Sequence, residues 1–262
     1  MTDQGAITAA LSSCYDDFES LITDLDAGEW DVQSLCPDWS VKGVATHVAG
    51  IETVLVDWRP QSDDEPPPFS QMGGFLGRAA DMPGPELAEH TVKVLADRRA
   101  ELAVLTPPEW SLPCMTPVGP GNYGRFMEVR IFDLWIHQRD MTVPLGRSTL
   151  DSGPAAEVTL DEVHNSLGYI VGKKIGLPDG MSLAVHLSGA IERDMYVEID
   201  GRARVVESLE APSLEVSADS TTFLLLAAGR IDPQGEIDAE RIGWTGDDEW
   251  GNRAARNLSF TF

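Results

Sequence analysis

The sequence predicts an α-helical bundle followed by a small α+β domain. Apolar residues recur at helical spacing through the first two thirds of the chain, and the period shortens to two beyond residue 180. Asp200-Gly201 then supplies a hairpin turn between two alternating stretches. Helices first and mixed strands later imply two separate layer types, so the expected domains are residues 1–176 and 177–262. The 262 residues, 42% of them hydrophobic, suffice for two modest cores.

The elements follow in order. Residues 7–25 place Ile7, Leu11, Tyr15, Phe18, Leu21, Ile22 and Leu25 on one helix face. Pro37-Asp38-Trp39-Ser40 reads as a turn and an N-cap for a second helix over 41–58. Residues 60–85 hold Pro66-Pro67-Pro68, Gly73-Gly74 and Pro83-Gly84-Pro85, which predicts a long loop with Asp63-Asp64-Glu65 in solvent. A third helix spans 86–105, Pro107-Pro108 ends it, and a second Pro/Gly-rich loop runs to Gly121. A fourth helix covers 125–140 and a fifth 155–174, completing a bundle of mostly antiparallel neighbours. After Gly180, Leu183, Val185 and Leu187 alternate with Ala184 and His186, and Met195, Val197 and Ile199 alternate again. A return strand over 202–206, a short strand over 214–216 and a helix over 222–228 follow, the helix capped by Asp219 or Ser220 and stopped by Gly229. Residues 258–262 alternate like a final strand.

The net charge of −24, from 43 acidic and 19 basic residues, argues against a nucleic-acid or anionic-membrane partner, since both are polyanions. Cys14, Cys36 and Cys114 are odd in number and widely spaced, which fits neither a disulfide framework nor a thiolate zinc site. The start of the chain has no basic segment followed by an apolar one, and no run approaches 18 apolar residues. The expected setting is a reducing cytoplasm.

The fourth helix carries the chemistry. Val129, Ile131, Phe132, Leu134, Trp135 and Ile136 cover most of its circumference, so Arg130, Asp133, His137 and Asp140 form one polar stripe inside the protein. Ionised groups sit inside only when paired or holding a metal. On the second helix, His47 shares an apolar face with Gly43, Val44, Gly50, Ile51 and Val54. In a bundle it can meet Asp133 and His137, and two imidazoles with one carboxylate leave a divalent cation an open position. The blander readings are a hydrogen-bonded core histidine and an Asp-x-x-x-His salt bridge. Arg130 and Asp140 either orient the ligands or touch substrate. Arg230 either binds a substrate carboxylate or complements a helix C-terminus. Cys36 reads as a small buried residue, Trp39, Trp58 and Trp135 as core, and His90, His164 and His186 lack partners at metal spacing.

The segment from Leu35-Cys36-Pro37-Asp38-Trp39 to Ala45-Thr46-His47-Val48-Ala49-Gly50 resembles the CPGW-T/S-V-x-D-V-x-A-H-L-A-G motif of the mycothiol-dependent maleylpyruvate isomerase family. Arg130-x-x-Asp133-x-Trp135-x-His137-x-x-Asp140 is similar to the family's second metal motif, and residues 223–233 and 246–262 resemble its C-terminal domain. The resemblance implies a DinB-like four-helix bundle, a small sterol-carrier-like α+β domain, and a zinc site of His47, Asp133 and His137. In the isomerase proper the middle ligand is Glu; here it is Asp133, one methylene shorter.

The implied activity is metal-dependent transfer or isomerisation of a small electrophile with a low-molecular-weight thiol, mycothiol by resemblance. Free thiols have pKa near ~8.5, and coordination to Zn2+ or another divalent metal favours the thiolate. The expected catalytic residues are Arg130 and Arg230. Two rival readings are a metal-dependent hydrolase and a non-catalytic small-molecule-binding protein. The sequence leaves the oligomeric state open.

Overall fold

The computed structural model describes residues 3–62 and 64–261 and divides into two compact units, Met1–Thr149 and Leu150–Phe262. Asp63 of the acidic run and Phe262 of the expected final strand lie outside the described residues.

The first unit is built on α1 (Gln4–Thr23), α2 (Val41–Leu55), a short α3 (Gly73–Ala80), α4 (Gly84–Val104), a single turn α5 (Pro107–Trp110), the hairpin β1 (Pro113–Thr116) and β2 (Gly119–Asn122), and α6 (Tyr123–Thr142). The four long helices make the bundle: α1 and α2 each pack on both α4 and α6. On α1, Ile7, Leu11, Tyr15, Phe18 and Ile22 are buried, following the predicted stripe. Each such side chain contributes roughly 1.5–3 kcal/mol by leaving water. Side chains cap three of these helices: Asp3 accepts from Gly5, Ser40 from Gly43, and Asn122 from Arg125.

The second unit is built on α7 (Pro154–Tyr169), which closes in a π-helical turn (Ile170–Ile175), then β3 (Ser182–Ser188), β4 (Arg193–Asp200), β5 (Arg202–Val206), β6 (Leu214–Asp219), α8 (Ser220–Ala227), α9 (Pro233–Asp238), β7 (Ile242–Gly246) and α10 (Asp248–Arg256). The sheet order is β5-β4-β3-β6-β7, antiparallel except for the parallel pair β3 and β6. Gly201, at φ +67°, turns the β4–β5 hairpin at the predicted Asp-Gly step. Asp219 is the N-cap of α8 and accepts from Thr221 and Thr222.

Several expectations need correction. The boundary lies at 149/150, not 176/177, because the fifth helix packs on β4, β5 and α8 of the second unit. Arg193 on β4 holds that helix through Glu157 and through Asp161 at 2.6 Å. Periodicity says that a helix has a buried face, not which layer receives it. The stretch 60–85 contains α3, and 107–121 contains α5 and the β1–β2 hairpin. Their glycines and prolines masked regular structure that the rest of the unit imposes. The second helix stops at Leu55, and Asp57 takes a left-handed φ of 59°. Residues 257–261 form no strand; Phe260 instead donates to the Ala227 carbonyl at 3.0 Å, and β7 and α10 provide the late elements.

Candidate metal centre

His47 stands in the second turn of α2, whose start is fixed by the Ser40 cap. Asp133 and His137 stand one turn apart on α6, which packs against α2. The three side chains converge: one ligand atom from each lies within 4.8 Å of the other two. The imidazole rings of His47 and His137 are 4.8 Å apart between centroids and cross at 69°. His137 Nε2 lies 3.5 Å from Asp133 Oδ1. Ligand atoms at about 2.0–2.1 Å from a tetrahedral ion sit roughly 3.3 Å from each other. The 3.5 Å pair is therefore at ligand spacing, and the donor set is of the kind that suits zinc.

The surrounding bonds hold these atoms in orientation. His137 Nδ1 donates to Asp140 Oδ2 at 2.8 Å, because an ionised carboxylate only accepts. Nε2 is thereby the atom that faces Asp133. Arg130 donates from Nη1 to Asp133 Oδ2 at 2.5 Å, leaving Oδ1 toward His137. Arg130 also grips Glu52 Oε1 through Nη2 at 2.7 Å and Nε at 3.1 Å. The other Glu52 oxygen accepts from Tyr15 at 2.7 Å and Arg98 at 3.2 Å. Glu52 and Arg98 are fully buried, so this is an interior charge network behind the site.

The fields follow from that geometry. Burial opposes ionisation of Asp133, but the Arg130 guanidinium and then His137 hold its carboxyl well below the usual carboxylate range. Burial opposes the imidazolium of His137, yet the Asp133 charge, with hydrogen bonding to Asp133, Asp140 and Cys36, raises it well above an ordinary histidine. A cation held by His137 would have to displace the proton on Nε2. Glu52 is lowered although burial opposes it, chiefly by Arg130 and Arg98.

One side of the cluster is open. Asp133 remains 28% exposed, and His47 is half-buried on the wall of a cavity of about 370 Å³. Trp39, Lys42, Gly43, Thr46 and Leu76 complete much of that wall. The Trp39 ring lies 4.7 Å from that of His47, tilted by 34°, so it is a site residue rather than the core residue the sequence suggested.

Arg130 is 3% exposed and donates to Glu52 and Asp133, which favours the orienting role over substrate contact. It acts through Asp133. Arg230 lies in the second unit and donates to the Ala228 carbonyl at 2.9 Å, next to the end of α8. Cys36 is buried but not inert packing, since its Sγ donates to Asp140 Oδ2 at 3.1 Å. Among the described residues, Cys36, His137 and Asp140 form the other group at metal spacing. Glu52, Tyr15 and Arg98 were missed by the sequence reading, although an acid at position 52 interrupts the apolar stripe Val48, Ile51 and Leu55.

Comparison with known proteins gives a family. Residues 11–142 match the mycothiol maleylpyruvate isomerase N-terminal domain and residues 157–253 match the C-terminal domain of the same family. The chain belongs to that family. No curated protein matches it. A crystal structure of a mycothiol-dependent maleylpyruvate isomerase is 17% identical, with a TM-score of 0.61 over 87% of this chain and 90% of the other. A His-to-Ala variant of that enzyme is 15% identical, with a TM-score of 0.61 over 93% of each chain. At these identities the likeness establishes a shared fold. A sterol carrier protein-2 like protein from Aedes aegypti, 16% identical over 37% of this chain and 89% of its own, scores 0.27, too low to carry an argument.

Proposed function

With family membership as the premise, we propose that this chain is a metal-dependent enzyme that isomerises a small electrophile, or transfers a thiol to it, using a low-molecular-weight thiol. Mycothiol is the thiol that the family name points to. In this reading His47, Asp133 and His137 hold one divalent cation, zinc by their donor set. The observation that carries it is the convergence of three donors, one of which, His47, lines an open cavity.

When bound, the cation favours the thiolate form of a thiol at neutral pH. The chain's own residues do the rest. Asp140 fixes the His137 ring by its Nδ1 bond. Arg130 occupies Asp133 Oδ2 and so restricts that carboxylate to one free oxygen. Trp39 covers one face of His47 and limits water there. Lys42 donates to the Ala80 carbonyl at 3.0 Å and keeps further donors for a carboxylate in the cavity. A thiolate that adds to an activated alkene turns the double bond into a rotatable single bond. Elimination after rotation expels the thiolate and gives the isomer, whereas protonation of the carbanion from water, followed by release of the adduct, gives transfer. Arg230 is proposed as a further carboxylate-binding residue, tested by Arg230→Ala in the same assay. A cytoplasmic setting, where thiols stay reduced, belongs to the same proposal. No helix among the described residues is long and apolar enough to cross a membrane.

The test is metal analysis of the purified protein, with His47→Ala and His137→Ala as controls, followed by product analysis on an activated alkene with and without thiol. One equivalent of zinc, lost in both variants, and thiol-dependent product are expected. Turnover without thiol would assign a hydrolase, and absence of metal would leave a binding protein.

A further inference from the structure

The loop from Gln33 to Ser40 packs against both imidazoles of the cluster, its Trp39 lying 4.7 Å from His47 and 6.0 Å from His137 between ring centroids. At one end, Cys36 Sγ donates to Asp140 Oδ2 at 3.1 Å, the same oxygen that accepts from His137 Nδ1 at 2.8 Å. At the other, the Trp39 indole lies 4.7 Å from the His47 ring. The loop between is tied to itself and to α6. Gln33 Nε2 donates to the carbonyls of Cys36 and Trp39, both at 2.8 Å. Ser34 Oγ donates to the Trp39 carbonyl at 2.6 Å and accepts from the Cys36 amide at 3.1 Å. The Leu35 amide donates to the Asp140 carbonyl at 3.0 Å. Its seat on α2 depends on Gly43, where an added Cβ would lie 2.9 Å from Trp39 Cβ.

We propose that Cys36 is a positioning residue of the metal centre, holding Asp140, and through it His137, in the orientation that binds the cation. The proposal rests on the metal reading above. Asp140 is fully buried, and with its Oδ2 shared between a thiol and an imidazole it has little freedom to rotate away from His137. Loss of the thiol donor leaves that oxygen one partner short in a buried place, so the carboxylate turns and the ring follows. In this arrangement the thiol reaches the His47, Asp133 and His137 group through Asp140 and His137, so it acts at one remove from a cation held there.

The experiment is zinc competition against a chromophoric chelator with the full chain, stripped of metal and reloaded. Loss of a direct partner of a ligating histidine weakens metal binding by about 10–100-fold, so a residue one step further out is expected to cost about three- to tenfold. Cys36→Ala should show that loss, and Cys36→Ser, which keeps a donor, should stay within about twofold of the parent. Thermal unfolding of the metal-free variants should show each still folded at the assay temperature, which separates weakened zinc binding from unfolding. Equal affinity of Cys36→Ala and the parent overturns the proposal, as does equal weakening in the Ala and Ser variants. Two equivalents of zinc on the parent also overturn it, because Cys36 would then be a ligand. His47→Ala distinguishes the two levels. If it keeps zinc, the metal reading fails; if it loses zinc while Cys36→Ala does not, the role of Cys36 alone falls.

Discussion

Glu52→Gln tests whether the charge network behind the site holds the first unit together. Glu52 is fully buried and accepts from Tyr15, Arg98 and Arg130. Removing one partner of a buried ion pair costs about 3–5 kcal/mol, because it strands the other charge. Here neither arginine is stranded outright. Arg98 keeps Glu101 at 2.6 Å and the Leu55 carbonyl at 3.0 Å, and Arg130 keeps Asp133 at 2.5 Å. The expected loss is therefore at the lower end, about 3 kcal/mol. At roughly 2–4 °C per kcal/mol, the first unit should melt about 6–12 °C lower by calorimetry at neutral pH. The sign with pH follows from the lowered Glu52. Its stabilisation is complete above the ordinary glutamate value of 4.5 and is lost only as pH falls through the depressed folded value. The gap between parent and variant should stay level from about pH 7 to about pH 5 and close below that. A gap under about 1 kcal/mol, the size of a surface pair, would refute the network argument. So would a gap that already closes by about pH 6.

Three further outcomes are expected. Ser40→Ala removes the acceptor at the start of α2 and should lower the urea midpoint of the first unit by the equivalent of about 1 kcal/mol. Burial pushes the Cys14 and Cys114 thiols up to about 12 and about 11, so mass spectrometry after brief exposure of the native chain to a thiol reagent should find both unmodified, and both modified once the chain is unfolded. Lys42→Glu should raise KM for a carboxylate-bearing electrophile by about tenfold with a smaller change in kcat, and leave a neutral electrophile unaffected.

Helical periodicity made the four long helices readable, and with them the burial of His137 and the shared face of Asp133 and His137. It misassigned α7 because Ala156, Leu160, Val163 and Leu167 form the same stripe whether a sheet or a bundle receives them. It missed β1 and β2, where Gly119-Pro120-Gly121-Asn122 offers no alternation and the pairing comes from the partner strand. It missed α10 as well, although Asp248 and Glu249 in the first turn and Arg253 and Arg256 in the last are helix-end charges in the favourable sense.

The network behind the His47, Asp133 and His137 cluster was within reach of the same reasoning. On α4, Arg98 continues the buried row of Leu87, Thr91, Val94 and Leu95; on α2, Glu52 continues that of Val44, Val48 and Ile51. A cation and an anion that each occupy a core position must find a partner inside, so two such interruptions on neighbouring helices predict each other. Cys36 and Trp39 differ in kind. They sit on an irregular loop, where no period says which way a side chain points, and the bonds of Gln33, Ser34, Leu35 and Cys36 hold the loop in place against Asp140 and His47. A residue that positions a ligand from such a loop is hidden from sequence patterning by the irregularity that lets the loop reach two helices at once.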